Sequence, residues 1–242
     1  MASTHRQPAT SRRSAGGVGR AALAAVLAMA GASQVTCALA QTSGAPMSFF
    51  VTSRGLGEGA NLGGLAGADR HCQALAEAAG AGERVWRAYL STQTREGVPG
   101  VSARDRIGPG PWHNAQGVPI AGSLEELHDA RNAVRTDTAL TETGQRVPGR
   151  VHDILTGTRL DGTAPSGLDP DMTCGNWTRS GSEGAALVGH HDRVSAIREP
   201  WAASWNSAHL TRGCSAAALA ELGSGGLFYC FASPREQPQP RP

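Results

Sequence analysis

The sequence predicts an α+β fold, and three observations support this class. Strand-forming residues occupy 47–53 and 227–232, near the two ends of the chain that follows residue 40. Apolar residues recur at helical spacing between them, from Leu65 to Ala79. Four cysteines follow Gln41, and the chain contains 32 glycines, which indicates few regular elements, long loops and a disulfide framework.

Residues 1–40 are predicted to be an export signal. Arginines precede the apolar run 21–30, and Ala38-Leu39-Ala40 supplies a small-residue cleavage pattern. The apolar run is shorter than the roughly twenty residues that a membrane span needs, and no later segment qualifies. We therefore expect a secreted or periplasmic protein with no membrane span in the mature chain.

Charge argues against nucleic acid as a partner. The chain has 22 basic and 20 acidic residues, and every basic residue is Arg. Four of these arginines lie in the predicted signal, which has no acidic residue, so 18 basic residues remain against 20 acidic ones, a net charge of −2. Bulk charge of this sign gives no nonspecific attraction to phosphate backbones.

The remainder of the chain is predicted to form one domain. Residues 41–46 are a short linker, 47–232 are the domain, and the proline-rich residues 233–242 are a tail that we expect to be disordered. Within the domain, residues 131–206 are polar, rich in glycine and without sustained periodicity. This region is expected to form long ordered loops with short strands.

Local signals place the other elements. The strand 47–53 is followed by the helix 65–79, which Gly80 can end. Residues 85–91 are predicted to form a second strand. Ser123, followed three residues later by Glu126, is a capping-box start for a second helix.

A series of short motifs, most of them around the cysteines, resembles one known family. The motifs are Gly67-Ala68-Asp69 ahead of Cys72, Arg87-Ala88-Tyr89-Leu90-Ser91, Val118-Pro119-Ile120 ahead of Glu126-Leu127, Cys174-Gly175-Asn176-Trp177, Gly213-Cys214 and Phe228-Tyr229-Cys230. In this order, across residues 47–232, they resemble the endostatin domain at the C-terminus of collagens XVIII and XV.

This resemblance implies a C-type-lectin-like fold of the endostatin type. In that fold two helices flank a small, distorted antiparallel sheet with long loops, and the first and last strands pair. Four cysteines alone allow three pairings. The resemblance implies two nested disulfides, Cys72–Cys230 and Cys174–Cys214.

The resemblance also suggests where a partner would bind. Arg104 and Arg106 correspond to a basic stretch that helps the animal domain to bind heparan sulfate, and guanidinium groups suit sulfate or carboxylate. A solvated loop or an internal ion pair is the alternative for these arginines. The candidate ligand-binding residues are Arg104, Arg106, Asn176, Asn206 and His209, and the expected partner is a glycan or an extracellular protein.

Calcium-dependent sugar binding has a sequence signature that this chain matches only in part. Trp205-Asn206 is similar to the Trp-Asn-Asp motif of sugar-binding C-type lectins, but Ser207 replaces the acid. Trp201 likewise follows Glu199-Pro200 where a lectin carries Asn. Both changes remove oxygen ligands that Ca²⁺ would use.

A histidine-rich segment offers ligands for a metal. His190, His191 and Asp192 are adjacent, and His209 and the pair His152-Asp153 could join them in a set that Zn²⁺ would accept. Adjacent histidines rarely reach one metal, because their side chains diverge. We therefore expect no cofactor and a hydrogen-bonded cluster, with a Zn²⁺ or Ca²⁺ site as the alternative.

No motif for a catalytic nucleophile is present, so no catalytic residue is predicted. The sequence favours a non-enzymatic binding domain that recognises a glycan or protein through its loops. The alternatives are a metal-assisted hydrolase that uses His190, His191, Asp192 and His209, and a structural component of the envelope or matrix.

Overall fold

The strands of the domain form a sheet organised around the last strand. A computed structural model of the chain describes residues 45–167 and 169–233. The predicted signal and almost all of the proline-rich tail lie outside these residues. The described residues contain eight strands, which are β1 (Phe49–Val51), β2 (Val85–Ala88), β3 (Trp112–His113), β4 (Pro119–Ala121), β5 (Asp153–Leu155), β6 (Leu187–His190), β7 (His209–Leu210) and β8 (Ser224–Ser233).

The main sheet has the order β1-β8-β5-β6-β7, and β2 also pairs with β8. The first and last strands are antiparallel partners, with Phe50 opposite Cys230, as the resemblance implies. The prediction of an antiparallel sheet is wrong at one place, because β5 runs parallel to β8. The other pairs of this sheet are antiparallel, and β3 and β4 form a separate two-stranded sheet.

Helix α1 (Gly64–Ala78) confirms the periodicity read from the sequence. Its buried face carries Ala68, Cys72 and Leu75 and packs beside β2. The helix gives way to Gly80, whose φ of 78° lies in the left-handed region that glycine adopts without strain. Cys72 on this face bonds to Cys230 in β8.

Both disulfides implied by the resemblance are present. Cys72–Cys230 spans 158 residues, and Cys174–Cys214 spans 40 residues inside that interval. Closing loops of this size stabilises a fold by roughly 3.5 to 5 kcal/mol each in the loop-entropy model. The two bridges therefore contribute substantially in a domain with few regular elements.

The remaining helices are short. Helix α2 (Leu124–Leu127) begins at Ser123, whose hydroxyl accepts from the Glu126 amide as the capping box predicts. The turn α3 (Cys174–Trp177) has positive φ at all four residues, so its backbone is left-handed. Helix α4 (Ala216–Ala220) precedes β8, and 3₁₀ turns occupy Ala103–Arg106 and Pro200–Ala203.

Side-chain alternation along β8 divides the interior into two apolar clusters. Phe228 and Cys230 pack into a cluster with α1 and Trp177, whereas Tyr229 and Phe231 pack into a second one with Trp112 and other residues. Successive residues of a strand point to opposite faces, so β8 is buried on both sides. This is a mixed α+β fold with a small sheet and long loops, consistent with the predicted class. No described helix is long and apolar enough to cross a membrane.

Candidate metal centre and the adjoining cavity

Strand pairing brings an acid and three histidines together at one edge of the sheet. Asp153, the first residue of β5, lies directly opposite His190, the last residue of β6. Directly opposed residues in an antiparallel pair share one face of the sheet. His152 immediately precedes β5, and His209 opens the neighbouring strand β7.

All three imidazoles approach the same carboxylate oxygen. The Nε2 atoms of His190, His152 and His209 lie 3.2, 3.4 and 3.5 Å from Oδ1 of Asp153. Ligand atoms of His152, Asp153 and His190 all lie within 4.8 Å of one another, so these residues form a group that could hold a metal ion. His209 approaches the shared oxygen from outside that group of three.

The carboxylate is buried and is not satisfied by hydrogen bonds. The Asp153 side chain is 0% exposed, and neither of its oxygens has a hydrogen-bond partner among the described residues. Both ring nitrogens of His190 are likewise buried without a partner. The imidazole nitrogens lie 3.2 to 3.5 Å from Oδ1 without a hydrogen bond to it. A buried charge in this condition is costly unless a cation compensates it.

The spacing of these atoms suits a metal. A tetrahedral zinc site with bonds of about 2.0–2.1 Å separates its ligand atoms by about 3.3–3.4 Å. The observed contacts of 3.2 to 3.5 Å around Asp153 match that edge length. An ion among these atoms would give the carboxylate and the imidazole nitrogens a common partner.

Contacts on the far side of two imidazoles orient their rings. Nδ1 of His152 lies 3.5 Å from a carboxylate oxygen of Asp192, and Nδ1 of His209 lies 3.2 Å from the carbonyl oxygen of Leu210. Such outer partners place the proton on Nδ1 and leave Nε2 free to bind a metal. Gly223 leaves room for the His152 ring, because a Cβ there would lie 3.1 Å from it.

Charges in the cluster depend on one another. Burial alone would raise the pKa of the Asp153 carboxyl, but His190 and His209 outweigh burial and hold that pKa below its ordinary value. Asp153 in turn raises the pKa of His209. The His152 and His190 rings stack at a centroid distance of 4.5 Å, so a positive charge on both would be repulsive.

Of the three predicted metal ligands, only His190 belongs to the group of three. Asp192 lies one contact further out, against His152. His191 is buried, and neither of its ring nitrogens has a hydrogen-bond partner among the described residues. Burial lowers the pKa of His191, which favours its neutral form. The structure thus separates the adjacent histidines and joins His190 to the pair His152-Asp153.

The two arginines among the predicted ligand-binding residues make internal contacts. Arg106 donates to both oxygens of Asp69 at 2.8 and 2.7 Å and also to the carbonyl of Ala88. Arg104 donates to the carbonyl of Asp161 at 2.9 Å. Arg106 therefore takes part in the internal ion pair that was its alternative role.

The two predicted asparagines also serve the interior. Asn206 is 1% exposed, and its amide nitrogen donates to the Tyr89 hydroxyl and to the carbonyl oxygens of Arg159 and Leu160. Asn176 accepts from the Gln93 amide and donates to the Gln93 carbonyl, which fastens the left-handed turn α3. Among the predicted ligand-binding residues, His209 is the one that approaches the metal group.

A cavity of about 420 Å³ lies beside the loop between β6 and β7. Its wall contains the exposed Trp201 and Leu160 and the buried Trp205. The loop packs tightly on β6 because residue 189 is glycine, where a Cβ would lie 1.8 Å from the carbonyl oxygen of Trp205. The volume falls in the range of small-molecule sites, about 300–1,000 Å³.

The polar residues of this cavity differ in whether they are paired. The Asp129 carboxylate accepts hydrogen bonds from the backbone amide and from the guanidinium of Arg131. His128 contacts the Leu124 carbonyl through Nδ1, and burial lowers its pKa despite that contact. Arg193 donates to the Val134 carbonyl and the Asn132 side chain, and no carboxylate of the described residues forms an ion pair with it.

No sequence signal indicated Arg193, His128 or Leu160 as cavity residues. Trp201 stood out in the sequence only because it occupies the Asn position of a lectin motif. An exposed Trp beside a Pro in a loop would have been the available signal.

Comparison with protein-family models and with curated proteins found no significant match for this chain.

Proposed function

We propose that this chain is a binding domain built around a divalent-metal centre, in which His152, Asp153 and His190 hold the ion. The observation that carries the proposal is the buried carboxylate of Asp153, which has imidazole nitrogens close to Oδ1 and no hydrogen-bond partner among the described residues. Burying a carboxylate without a hydrogen bond costs free energy, whereas a bound cation would compensate its charge.

The donor set favours zinc. Imidazole nitrogens and one carboxylate are ligands that zinc accepts in four-coordinate sites. Calcium would need six to eight oxygens, and the group offers one carboxylate. We therefore propose zinc in place of the hydrogen-bonded histidine cluster that the sequence favoured, because neither oxygen of Asp153 has a hydrogen-bond partner among the described residues.

Other features support a binding domain outside the cytoplasm. Two disulfides are typical of proteins from oxidising compartments. The metal group and the cavity both involve the long loops, and function usually resides on loops held by a rigid scaffold. A C-type-lectin-like fold of the endostatin type, secreted or periplasmic location, and recognition of a glycan or protein form part of this proposal.

Zinc titration of the oxidised protein tests the metal centre. After treatment with EDTA and removal of the chelator, isothermal calorimetry should show one zinc ion per chain, and added zinc should raise the melting temperature. Elemental analysis of the protein as purified provides an independent reading. Calcium at the same concentrations should leave the melting temperature unchanged.

Two variants locate the zinc. His190→Ala should abolish the zinc-dependent stabilisation, because it removes a ligand that is almost fully buried. His113→Ala is the matched control, since His113 lies in β3 and outside the group. Absence of zinc binding to the wild-type protein, or equal binding by both variants, would refute the proposal.

A metal-assisted hydrolase is the second candidate, and His209 decides between the two functions. Three protein ligands and an open position are typical of catalytic zinc, whereas a fourth protein ligand closes the site. His209 approaches Asp153 from outside the group and is 34% exposed at its side chain. Weaker zinc binding in His209→Ala would favour a closed binding centre, and unchanged binding would favour the open arrangement that hydrolysis needs.

A further inference from the structure

The loop between β6 and β7, residues 191–208, connects the metal group to the cavity. It begins after His190 and ends before His209, so both residues that flank it contact Asp153. The cavity residues that this loop supplies are Arg193, Pro200, Trp201, Ser204, Trp205 and Asn206. A ligand in the cavity would therefore contact a loop whose two ends are held at the metal group.

The apolar part of the cavity wall suits a ring. Trp201 is 46% exposed and Leu160 is 51% exposed, although both are large apolar side chains. Trp205 closes the wall from the interior, where it stacks near Tyr89 at a centroid distance of 4.8 Å. Indole surfaces provide apolar contact for flat or weakly polar ring faces at a low entropic cost.

Charge selects the other half of the ligand. Among the charged residues of the cavity, Asp129 is neutralised by Arg131, and His128 has a lowered pKa because it is buried. Arg193 keeps its positive charge, since guanidinium stays protonated in proteins, and it has no acidic partner among the described residues. A half-buried guanidinium without a carboxylate complements an anion.

We propose that this cavity binds a carboxylate carried on a ring, with the ring against Trp201 and Leu160 and the carboxylate at Arg193. An acidic sugar and an aromatic acid share this chemistry. This inference rests on the proposed metal centre in one respect: zinc bound at His190 holds the start of the loop, with His209 beside Asp153 at its end, and so strengthens ligand binding. Coupling of this kind is reciprocal, because each ligand then tightens the other.

The binding test uses two pairs of probes. D-glucuronate is compared with D-glucose, and benzoate with benzyl alcohol, by calorimetry and by tryptophan fluorescence. We expect an acid to bind and its neutral counterpart to have a dissociation constant at least about tenfold higher. This ratio corresponds to the free energy of one charge-assisted hydrogen bond. The acid that binds more tightly shows whether the natural ligand belongs to the acidic sugars or to the aromatic acids. Equal binding of acid and neutral probe, or no binding of either acid, would overturn the proposal.

Variants place the ligand in the cavity. Arg193→Gln should lose the preference for the acid, and Trp201→Ala should weaken both members of a pair. Arg193 also supports Val134 and Asn132, so Arg193→Gln can affect folding. Trp201→Ala keeps the test decisive, because the Trp201 side chain is half exposed. Val118→Ala is the matched control, since Val118 is an exposed apolar residue that does not line the cavity. Acid binding that survives unchanged in Trp201→Ala would contradict the assignment.

The dependence on zinc is measured separately. The same titrations are made on zinc-loaded protein and in EDTA, with zinc content determined on each sample. Tighter acid binding to the loaded protein supports the coupling, and equal affinity in both samples refutes it. If the protein binds no zinc, the metal centre fails while the acid preference still reports on the cavity, so the two failures can be told apart.

Discussion

Two carboxylates of this domain, the largely shielded Asp69 and the buried Asp153, are compensated in different ways. Asp69 on α1 accepts from the Ala88 amide and binds Arg106 through both oxygens, and Arg87 adds a further ion pair. Asp153 on β5 faces only histidines and forms no hydrogen bond with the described residues. Both side chains are largely or fully shielded from water, at 12% and 0% exposure.

The difference lies in the partners. Arginine is permanently charged and donates a fork that matches a carboxylate, so Asp69 is satisfied within the fold. Histidine nitrogens can be either protonated donors or neutral metal ligands. The Asp69 site is therefore a structural ion pair, whereas the arrangement around Asp153 suits a ligand that the chain itself does not supply.

The largest expected effect comes from breaking the structural pair. Asp69→Asn leaves Arg106 largely buried without its anion, and loss of one partner in a buried pair costs roughly 3–5 kcal/mol. Urea unfolding should give this loss equally with zinc and with EDTA. A loss that depends on the chelator would show that the two carboxylates are not independent.

Asp153→Asn should reverse that pattern. With zinc present at about a hundred times its dissociation constant, the variant should lose the roughly 2.7 kcal/mol that ligand binding contributes to the folded state. In EDTA the variant should be at least as stable as the wild type, because the substitution removes a buried charge that has no hydrogen-bond partner among the described residues. An equally large loss in both conditions would make Asp153 a structural residue like Asp69.

Asp192→Asn tests the outer contact to His152. Partners of this kind change metal affinity by about 10–100-fold without supplying a ligand. We expect calorimetry to give a weaker zinc dissociation constant but an unchanged stoichiometry of one. Loss of stoichiometric binding would instead place Asp192 among the ligands, as the sequence predicted.

His128 gives the smallest effect and serves as a reference for a histidine without a carboxylate. Burial lowers the pKa of His128, whereas Asp153 raises that of His209. As the pH falls below about 6.5, the unfolded chain takes up a proton at residue 128 that the folded protein resists, so stability decreases. In EDTA, wild-type protein should lose more stability between pH 7 and pH 5 than His128→Gln. An equal loss in the two proteins would contradict this.

The sequence predicted much of the framework, because the deciding signals were local. The periodicity of α1, the Ser123 cap of α2 and the β-forming residues of β8 each depend on neighbours a few positions away. The disulfide pairing came from the resemblance, and the structure confirms it. The parallel pairing of β5 with β8 and the left-handed turn at Cys174–Trp177 were not predicted, since both depend on contacts with distant segments.

The candidate site shows the same division. The sequence by itself determined that histidines and acids occur near residues 152, 190 and 209, and that few aromatic and many small residues leave long loops to carry function. Only the tertiary structure decided which of them meet. The register that sets Asp153 opposite His190 does not reach His191, which lies in the turn after β6. That register arises from hydrogen bonds between strands far apart in the sequence, and no local pattern encodes it.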